Sequence, residues 1–572
     1  MRRQQRRSRP PRGNSLIRGV RIIGRVRIAA GLCLGGVVLG GAGVAVSATP
    51  SARRASALRP HCAAAFPRII RDGFPEPPIR FSHGGVLVTR LRASVSPVTI
   101  DHRRYTTMNY EGSYPGPTFV LCPGDRFVVH LQNDLPLDTN LHLHGLHVSP
   151  SGSSDNVFLN IRPGQHFTYQ YRLPLDQPAG AFWYHPHRHM FVEQQIFAGL
   201  AGAIVVEGGL DNLLAHVPQR LMVITSTQLG TNGRTVPVAT SIQPKTPVFV
   251  NGAIDPTVKI RPGQIQRWRI FNANDNRIVV LNLHGQNLQV LAEDGNTLRW
   301  ARATRNLLIG PGSRAEVLVR GGAPGRYPMK AIPFAQFPHG DHPYNPVCSG
   351  TPVRCQLKPA GPTPNQTVLT LVSSGPRAND RLPKGPLSNP VDLRRKHVDR
   401  HRTIVFSEMP AGMNMTNFLL NGKLFDPNRV DVTMKLNSVE EWTLQNTNTE
   451  WHTFHIHVNP FQIISINGRR LNYVDYQDNV AMPPKSTIVI RMNPIDFTGK
   501  FVFHCHVTFH EDHGMMAAVQ VLRKPTPAQL KASVVTSGGF AIRSSAYESN
   551  AVPPPTLTFS YVCHLLGIRK IA

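Results

Sequence analysis

Acidic residues are scarce in this chain: 33 of 572 residues are Asp or Glu against 63 Lys and Arg, and the first sixty positions hold 13 Arg and no acid. With only 17% of residues charged, the composition argues against long solvated helices. Helix-turn-helix patterns, zinc-finger spacings and aromatic–basic stacking runs are also missing, so no nucleic-acid partner is expected despite a net charge of +30. Cysteine is sparse, with seven residues. What the chain has in quantity is turn chemistry: 50 Pro and 47 Gly point to short strands joined by tight turns, an all-β fold. The length is too great for one core and implies three or four domains.

The N-terminus is built for export. Met1 to Arg27 is Arg-rich, Ile28 to Val46 is apolar and uncharged, and Val46-Ser47-Ala48 offers small residues for cleavage, so residues 1–48 are expected to be a signal peptide. The pairs Arg2-Arg3 and Arg6-Arg7 hint at twin-arginine export without completing its motif. An uncleaved segment would instead anchor the chain, the only case in which a membrane is a partner. The expected location is secreted or extracytoplasmic, in a periplasm or at a cell surface. Six cysteines remain after Cys33 is set aside with the signal. Cys348 and Cys355 could close a disulfide in an oxidising compartment, while the pairing of Cys62, Cys122 and Cys563 stays open.

One phrase recurs three times. Pro123-Gly124 leads through Arg126-Phe127-Val128-Val129-His130-Leu131 to Asn133, Pro262-Gly263 leads through Arg267-Trp268-Arg269-Ile270-Phe271 to Asn272, and Leu436-Asn437 leads through Glu441-Trp442-Thr443-Leu444-Gln445 to Asn446. His142-Leu143-His144 follows the first copy and His455-Ile456-His457 the third, where the middle copy has Asn282-Leu283-His284. A second phrase, Gly180 to His185-Pro186-His187, returns as Gly499 to His504-Cys505-His506, and in the middle copy as Gly325 to Lys330-Ala331-Ile332. The middle unit therefore reads as a spacer without metal ligands. Expected boundaries are an N-terminal linker at 49–74, unit one at 75–210, unit two at 211–385, a linker at 386–399, unit three at 400–524 and a tail at 525–572. Each unit is a β-sandwich candidate.

Alternate residues on a strand share a face, so a His-x-His pair aims two imidazoles at one place. One such pair is usually solvated. Four of them in two matching units call for an imidazole-loving first-row metal such as copper. The last motif is more specific: His504-Cys505-His506, then His510 and Met515, with His452 nearby. Two imidazoles, a thiolate and a weak thioether are the donor set of a blue-copper electron-transfer site. Cys505 would face that site, and its neighbours His504 and His506 would face the cluster.

In order, His142-Leu143-His144-Gly145, His185-Pro186-His187, His452-Thr453-Phe454-His455-Ile456-His457 and His504-Cys505-His506 with His510 and Met515 resemble the four copper motifs of the multicopper oxidases, a family that includes laccases, bilirubin oxidases and bacterial cuprous oxidases. The similarity spans about Arg80 to Leu522. It implies three consecutive cupredoxin-like antiparallel β-sandwich domains and four copper ions. Type 1 copper would lie on His452, Cys505, His510 and Met515. Type 2 copper would lie on His142 and His455, and a type 3 pair on His144, His185, His187, His457, His504 and His506. Thr453 stands where many members have Pro, at a position that is no ligand. Pro186 replaces the thiolate in unit one, so one mononuclear site is expected. Dioxygen reduction consumes protons, and the resemblance assigns proton handling to Glu511 and Asp155, although the loop before Asp155 is two residues longer than usual.

Other candidates read as ordinary structure. His147, His189 and His513 sit off the motif positions, Met409, Met413 and Met415 form a thin Met cluster, and Trp442 and Trp451 look like core aromatics. The function expected is oxidation of phenols or aromatic amines, one electron at a time, coupled to reduction of dioxygen to water. The alternatives are a metallo-oxidase acting on Cu(I) or Mn(II), and a non-catalytic scaffold, which should have lost ligands.

Overall fold

A computed structural model describes residues 69–70, 72–235, 246–337, 346–349, 354–357, 362–410 and 416–531, all within one compact unit, Arg53–Ala572. The export segment, Cys62, Cys563, Met413, Met415 and the tail beyond 531 lie outside the described residues. Strands Pro346–Ser349 and Arg354–Leu357 pair antiparallel with Cys348 opposite Cys355, and Cys122 is disulfide-bonded. Among the described residues no helix is long and apolar enough to cross a membrane.

Three two-sheet sandwiches follow one another. In the first, a four-stranded sheet centred on Val86–Ile100 and Arg126–Asp134 faces a five-stranded sheet holding Gly180–His185 and His142–His144. The second pairs six strands with five, and the third pairs seven with five. Each encloses its own apolar core. Val86–Ile100 alternates buried and exposed residues along most of its length, as a strand with one wet face must. Every residue of Gly180–His185 is buried instead. Its outer face packs on the middle sandwich, where Ala181, Trp183 and Val205 meet Leu221, Val223 and Phe271.

Most strand pairs are antiparallel, as expected, but each sandwich also contains parallel pairs, because strands distant in sequence return beside one another. The three repeated strands occupy equivalent places. Arg126–Asp134, Ile265–Asn272 and Glu440–Asn446 each run parallel to an upstream strand and antiparallel to a downstream one. The Asn at or next to the end of each is buried and acts as a clasp. Asn133 accepts the Leu135 N–H and donates to the Leu137 and Ile161 carbonyls. Asn272 does the same with Asn274, Arg277 and Ile309, and Asn446 with Asn448, Glu450 and Met482. An amide side chain can accept and donate at once, so Asn fixes the loop that follows. In the first and third sandwiches that loop delivers a His-x-His strand.

Candidate metal centre

The His-x-His strands lie in the inner sheets, each against the second histidine motif of its own sandwich. His142 pairs in register with His185, and His455 with His504 while Phe454 faces Cys505. All eight of these imidazoles, with Cys505, His452, His510 and Met515, are at most 2% exposed. The structure brings every expected ligand residue to one of two adjoining places.

At the first place the Cys505 sulfur lies 3.5 Å from His452 Nδ1 and 3.6 Å from His510 Nδ1, and the two nitrogens are 3.0 Å apart. The short helix Thr508–Asp512 carries His510. Met515 is fully buried in the same core; its carbonyl accepts the Cys505 N–H at 3.0 Å and its own N–H bonds the His510 carbonyl at 2.8 Å. The outer nitrogens are occupied: His452 Nε2 is 2.7 Å from Asn448 Nδ2, and His510 Nε2 is 3.0 Å from Glu450 Oε1. Burial pushes the Cys505 thiol well above its ordinary range. A proton on that sulfur is what a thiolate-binding cation would displace.

The eight remaining imidazoles resolve into sets. His144 Nδ1 lies 3.4 Å from His185 Nε2 and 3.2 Å from His506 Nε2. His504 Nε2 lies 3.1 Å from His187 Nε2 and 3.4 Å from His457 Nε2. Each set draws on both outer sandwiches, so neither exists before the sandwiches dock. His142 and His455 complete the group, stacked on His457 at 4.0 Å and on His144 at 3.8 Å. Their buried Nε2 atoms have no hydrogen-bond partner, although buried polar atoms almost always find one.

These contacts fit copper. Burial, reinforced by neighbouring rings, holds His144, His185, His455, His457 and His506 well below the ordinary histidine range. Burial does the same to His187, His452 and His510. Neutral rings keep a lone pair, and ring nitrogens clustered to face one another suit a cation.

Carboxylates fix the far side of several rings. Asp155 accepts from His142 Nδ1 at 2.9 Å and from the Leu143 N–H at 2.9 Å, so the longer loop still delivers it. Glu511 stands 3.0 Å from His504 Nδ1 and 3.4 Å from His187 Nδ1, fully buried. Sequence reasoning missed three charged groups: Glu450, Asp478, whose Oδ1 is 3.2 Å from His144 Nε2, and Arg314 of the middle sandwich, paired with Asp478. None belongs to a histidine motif. Only Glu450, two residues before His452, had a neighbour to betray it.

The residues read as ordinary structure fall as follows. His147 bonds the Val458 carbonyl and Asp496. His513 bonds the Phe509 carbonyl. Burial lowers His189 to about 4, partly offset by Glu511. Trp442 is a core residue whose Nε1 donates to Glu440, Trp451 packs edge-on to Phe334, and Met409 is exposed.

Family profiles described as multicopper oxidase match residues 92–210, 217–350 and 386–525, together more than half of the chain. The chain is 27% identical over 444 residues to "Multicopper oxidase mco" of Staphylococcus aureus, covering 73% of this chain and 84% of that protein. It is also 27% identical over 415 residues to "Cell division protein FtsP" of Escherichia coli (strain K12), covering 69% and 80%. Among solved structures, "Multicopper oxidase from Campylobacter jejuni: a metallo-oxidase" shares the fold with a TM-score of 0.64 at 24% identity, over 79% of this chain and 97% of that one. By these matches the chain belongs to the multicopper oxidase family, copper-binding oxidoreductases that use oxygen as electron acceptor.

Proposed function

We propose that the chain is a laccase-like oxidase that takes electrons singly from phenols or aromatic amines and reduces dioxygen to water with about four coppers. His452, Cys505, His510 and Met515 hold the type 1 ion, His142 and His455 the type 2 ion, and the two triads, His144, His185, His506 and His187, His457, His504, the type 3 pair. Bound copper supplies a one-electron Cu(I)/Cu(II) couple and a place for oxygen to be reduced.

The observation that carries this reading is the strand end His504-Cys505-His506. Cys505 faces His452 and His510, while the residues on either side of it face one triad each, so a few covalent bonds separate electron entry from oxygen. Glu511, against His504 and His187, and Asp155, against His142, stand where protons must arrive. The type 1 ligand His510 is packed among buried aromatic rings, stacked on Phe418 at 4.1 Å with Phe337 edge-on. Retention of every expected ligand supports an oxidase over a scaffold. A metal-ion donor is the second reading, favoured by the Glu450 carboxylate on the outer nitrogen of His510. We place the protein outside the cytoplasm, a reading supported by the disulfide at Cys122.

The test is to load the purified protein with copper and follow oxygen uptake with a phenol, Cu(I) and Mn(II) in parallel. Uptake with the phenol supports the first reading. Uptake confined to the metal ions replaces it with the second, and none with any donor refutes both.

A further inference from the structure

The middle sandwich holds none of the ligands, yet it reaches the cluster. Arg314, which opens strand Arg314–Arg320, is 1% exposed, and all three of its guanidinium nitrogens are hydrogen-bonded. Nη1 and Nη2 donate to the two oxygens of Asp478 at 2.7 and 2.6 Å. Nε donates to the Ala181 carbonyl at 3.1 Å, and Nη1 also to the Gly312 carbonyl at 3.1 Å. Asp478 belongs to the third sandwich. Its Oδ1 accepts from Nε2 of His144, a ring of the first, at 3.2 Å, and its backbone carbonyl accepts from His455 Nδ1 at 2.8 Å. Asp294 of the middle sandwich braces the pair, accepting the Arg314 N–H at 2.9 Å and the N–H of Asn479, the residue after Asp478, at 3.0 Å.

A neutral imidazole carries one N–H, and whichever nitrogen donates leaves the other as a lone pair. With Nε2 of His144 donating to Asp478, Nδ1 is the free lone pair, and it is Nδ1 that faces His185 and His506. With Nδ1 of His455 donating to the Asp478 carbonyl, Nε2 is free. Asp478 can hold this position only while its buried charge is balanced, since an unpaired buried carboxylate is costly. Arg balances it with a planar fork that spans both oxygens, which the point charge of Lys does not. Gly145, at φ +86°, leaves the space: a Cβ there would collide with both Arg314 and Asp478.

We propose that Arg314 is a positioning residue for the copper cluster, and that the middle sandwich, through Arg314 and Asp478, sets the nitrogen that His144 and His455 present to the metal. The proposal rests on the copper reading above. Removing the fork lets the Asp478 carboxylate turn away from His144 and free that ring to present the wrong nitrogen, and leaves the backbone carbonyl that holds His455 secured from the middle sandwich by Asp294 alone. Loss of such a supporting contact weakens metal affinity about 10- to 100-fold. The type 1 ligands all come from the third sandwich and make no contact with Arg314, so their copper stays.

The experiment compares wild type, Arg314→Gln and Arg314→Lys, each loaded with copper and then equilibrated against chelators of graded strength. Copper per chain is counted while the blue thiolate absorbance reports the type 1 site, and the type 2 electron paramagnetic resonance signal reports geometry. Arg314→Gln is expected to release cluster copper at about 10- to 100-fold weaker chelation, with an altered type 2 signal and an intact blue band. Arg314→Lys should fall between it and wild type, and carries the comparison if the glutamine variant does not fold. Wild-type retention in the variants overturns the proposal, and so does parallel loss of blue band and cluster copper, the mark of general unfolding. A wild-type chain that never fills the cluster overturns the copper reading and this inference together; a filled wild type with equally filled variants overturns the inference alone.

Discussion

A single methyl group on Gly312 should silence the cluster and spare the type 1 site. Gly312 has φ +82°, and a Cβ there would lie 2.6 Å from Asn479 Nδ2 and 2.8 Å from both Nε2 and Cδ2 of His506. Ordinary contact needs about 3.5–4.0 Å, so the His506 ring must retreat by about 1 Å. Metal sites tolerate ligand displacements of only about 0.2 Å. The left-handed backbone costs an L-residue about 1–2 kcal/mol, and overpacking a full interior adds about 1–3 kcal/mol. Gly312→Ala should therefore lower the stability of the copper-free protein by about 2–5 kcal/mol. On loading, the variant should show the blue band but lack cluster copper and oxygen uptake. Denaturant unfolding, copper analysis and absorbance measure the three. A variant with full copper content and stability within about 1 kcal/mol of wild type would refute the packing argument.

Three further outcomes follow from the site. Asp155→Asn keeps an acceptor for the Leu143 N–H but loses the charge on His142, so type 2 copper should bind about 10- to 100-fold more weakly; chelator competition with unchanged affinity would count against it. Glu511→Gln should slow oxygen reduction about 10²- to 10⁴-fold while anaerobic reduction of the blue band keeps its rate, and equal slowing of both steps would contradict a proton role. Burial, then the charges of Asp275 and Asp512, hold Glu193 well above the carboxyl range, and burial pushes Asp275 to about 7. Folded Glu193 keeps a proton that the unfolded chain gives up above its ordinary value, so its contribution is full at low pH and lost as pH rises. Glu193→Gln should match wild type near pH 4 and be the more stable of the two at pH 8; urea unfolding giving the same difference at both pH values would contradict this.

Local periodicity made the candidate ligands legible. His142 and His144, or His455 and His457, share a face because strand residues alternate, and Cys505 separates from His504 and His506 for the same reason. The recurring Asn133, Asn272 and Asn446 were visible as markers, though not as the clasps they form. What stayed hidden depends on docking. Asp478 stands in an unremarked Asp478-Asn479-Val480 run, and Arg314 follows a Pro-Gly turn in a sandwich without ligands; each acquires its role only when three sandwiches meet. The parallel strand pairs were hidden likewise, since strand order within a sheet is not a local property. Asp155 reaches His142 across the longer loop because the Asp155 N–H bonds the Ser149 carbonyl at 2.9 Å and the Ser154 N–H bonds the Ser151 carbonyl, folding the extra residues into a turn.

The most direct measurement is a map of anomalous scattering at the copper edge from crystals of the loaded protein. One peak is expected among His452, Cys505, His510 and Met515, and a separate group enclosed by the eight imidazoles, with the His144 and His504 sets each on a peak of their own. Peaks elsewhere, or none between His144 Nδ1, His185 Nε2 and His506 Nε2 in fully loaded protein, would contradict this assignment.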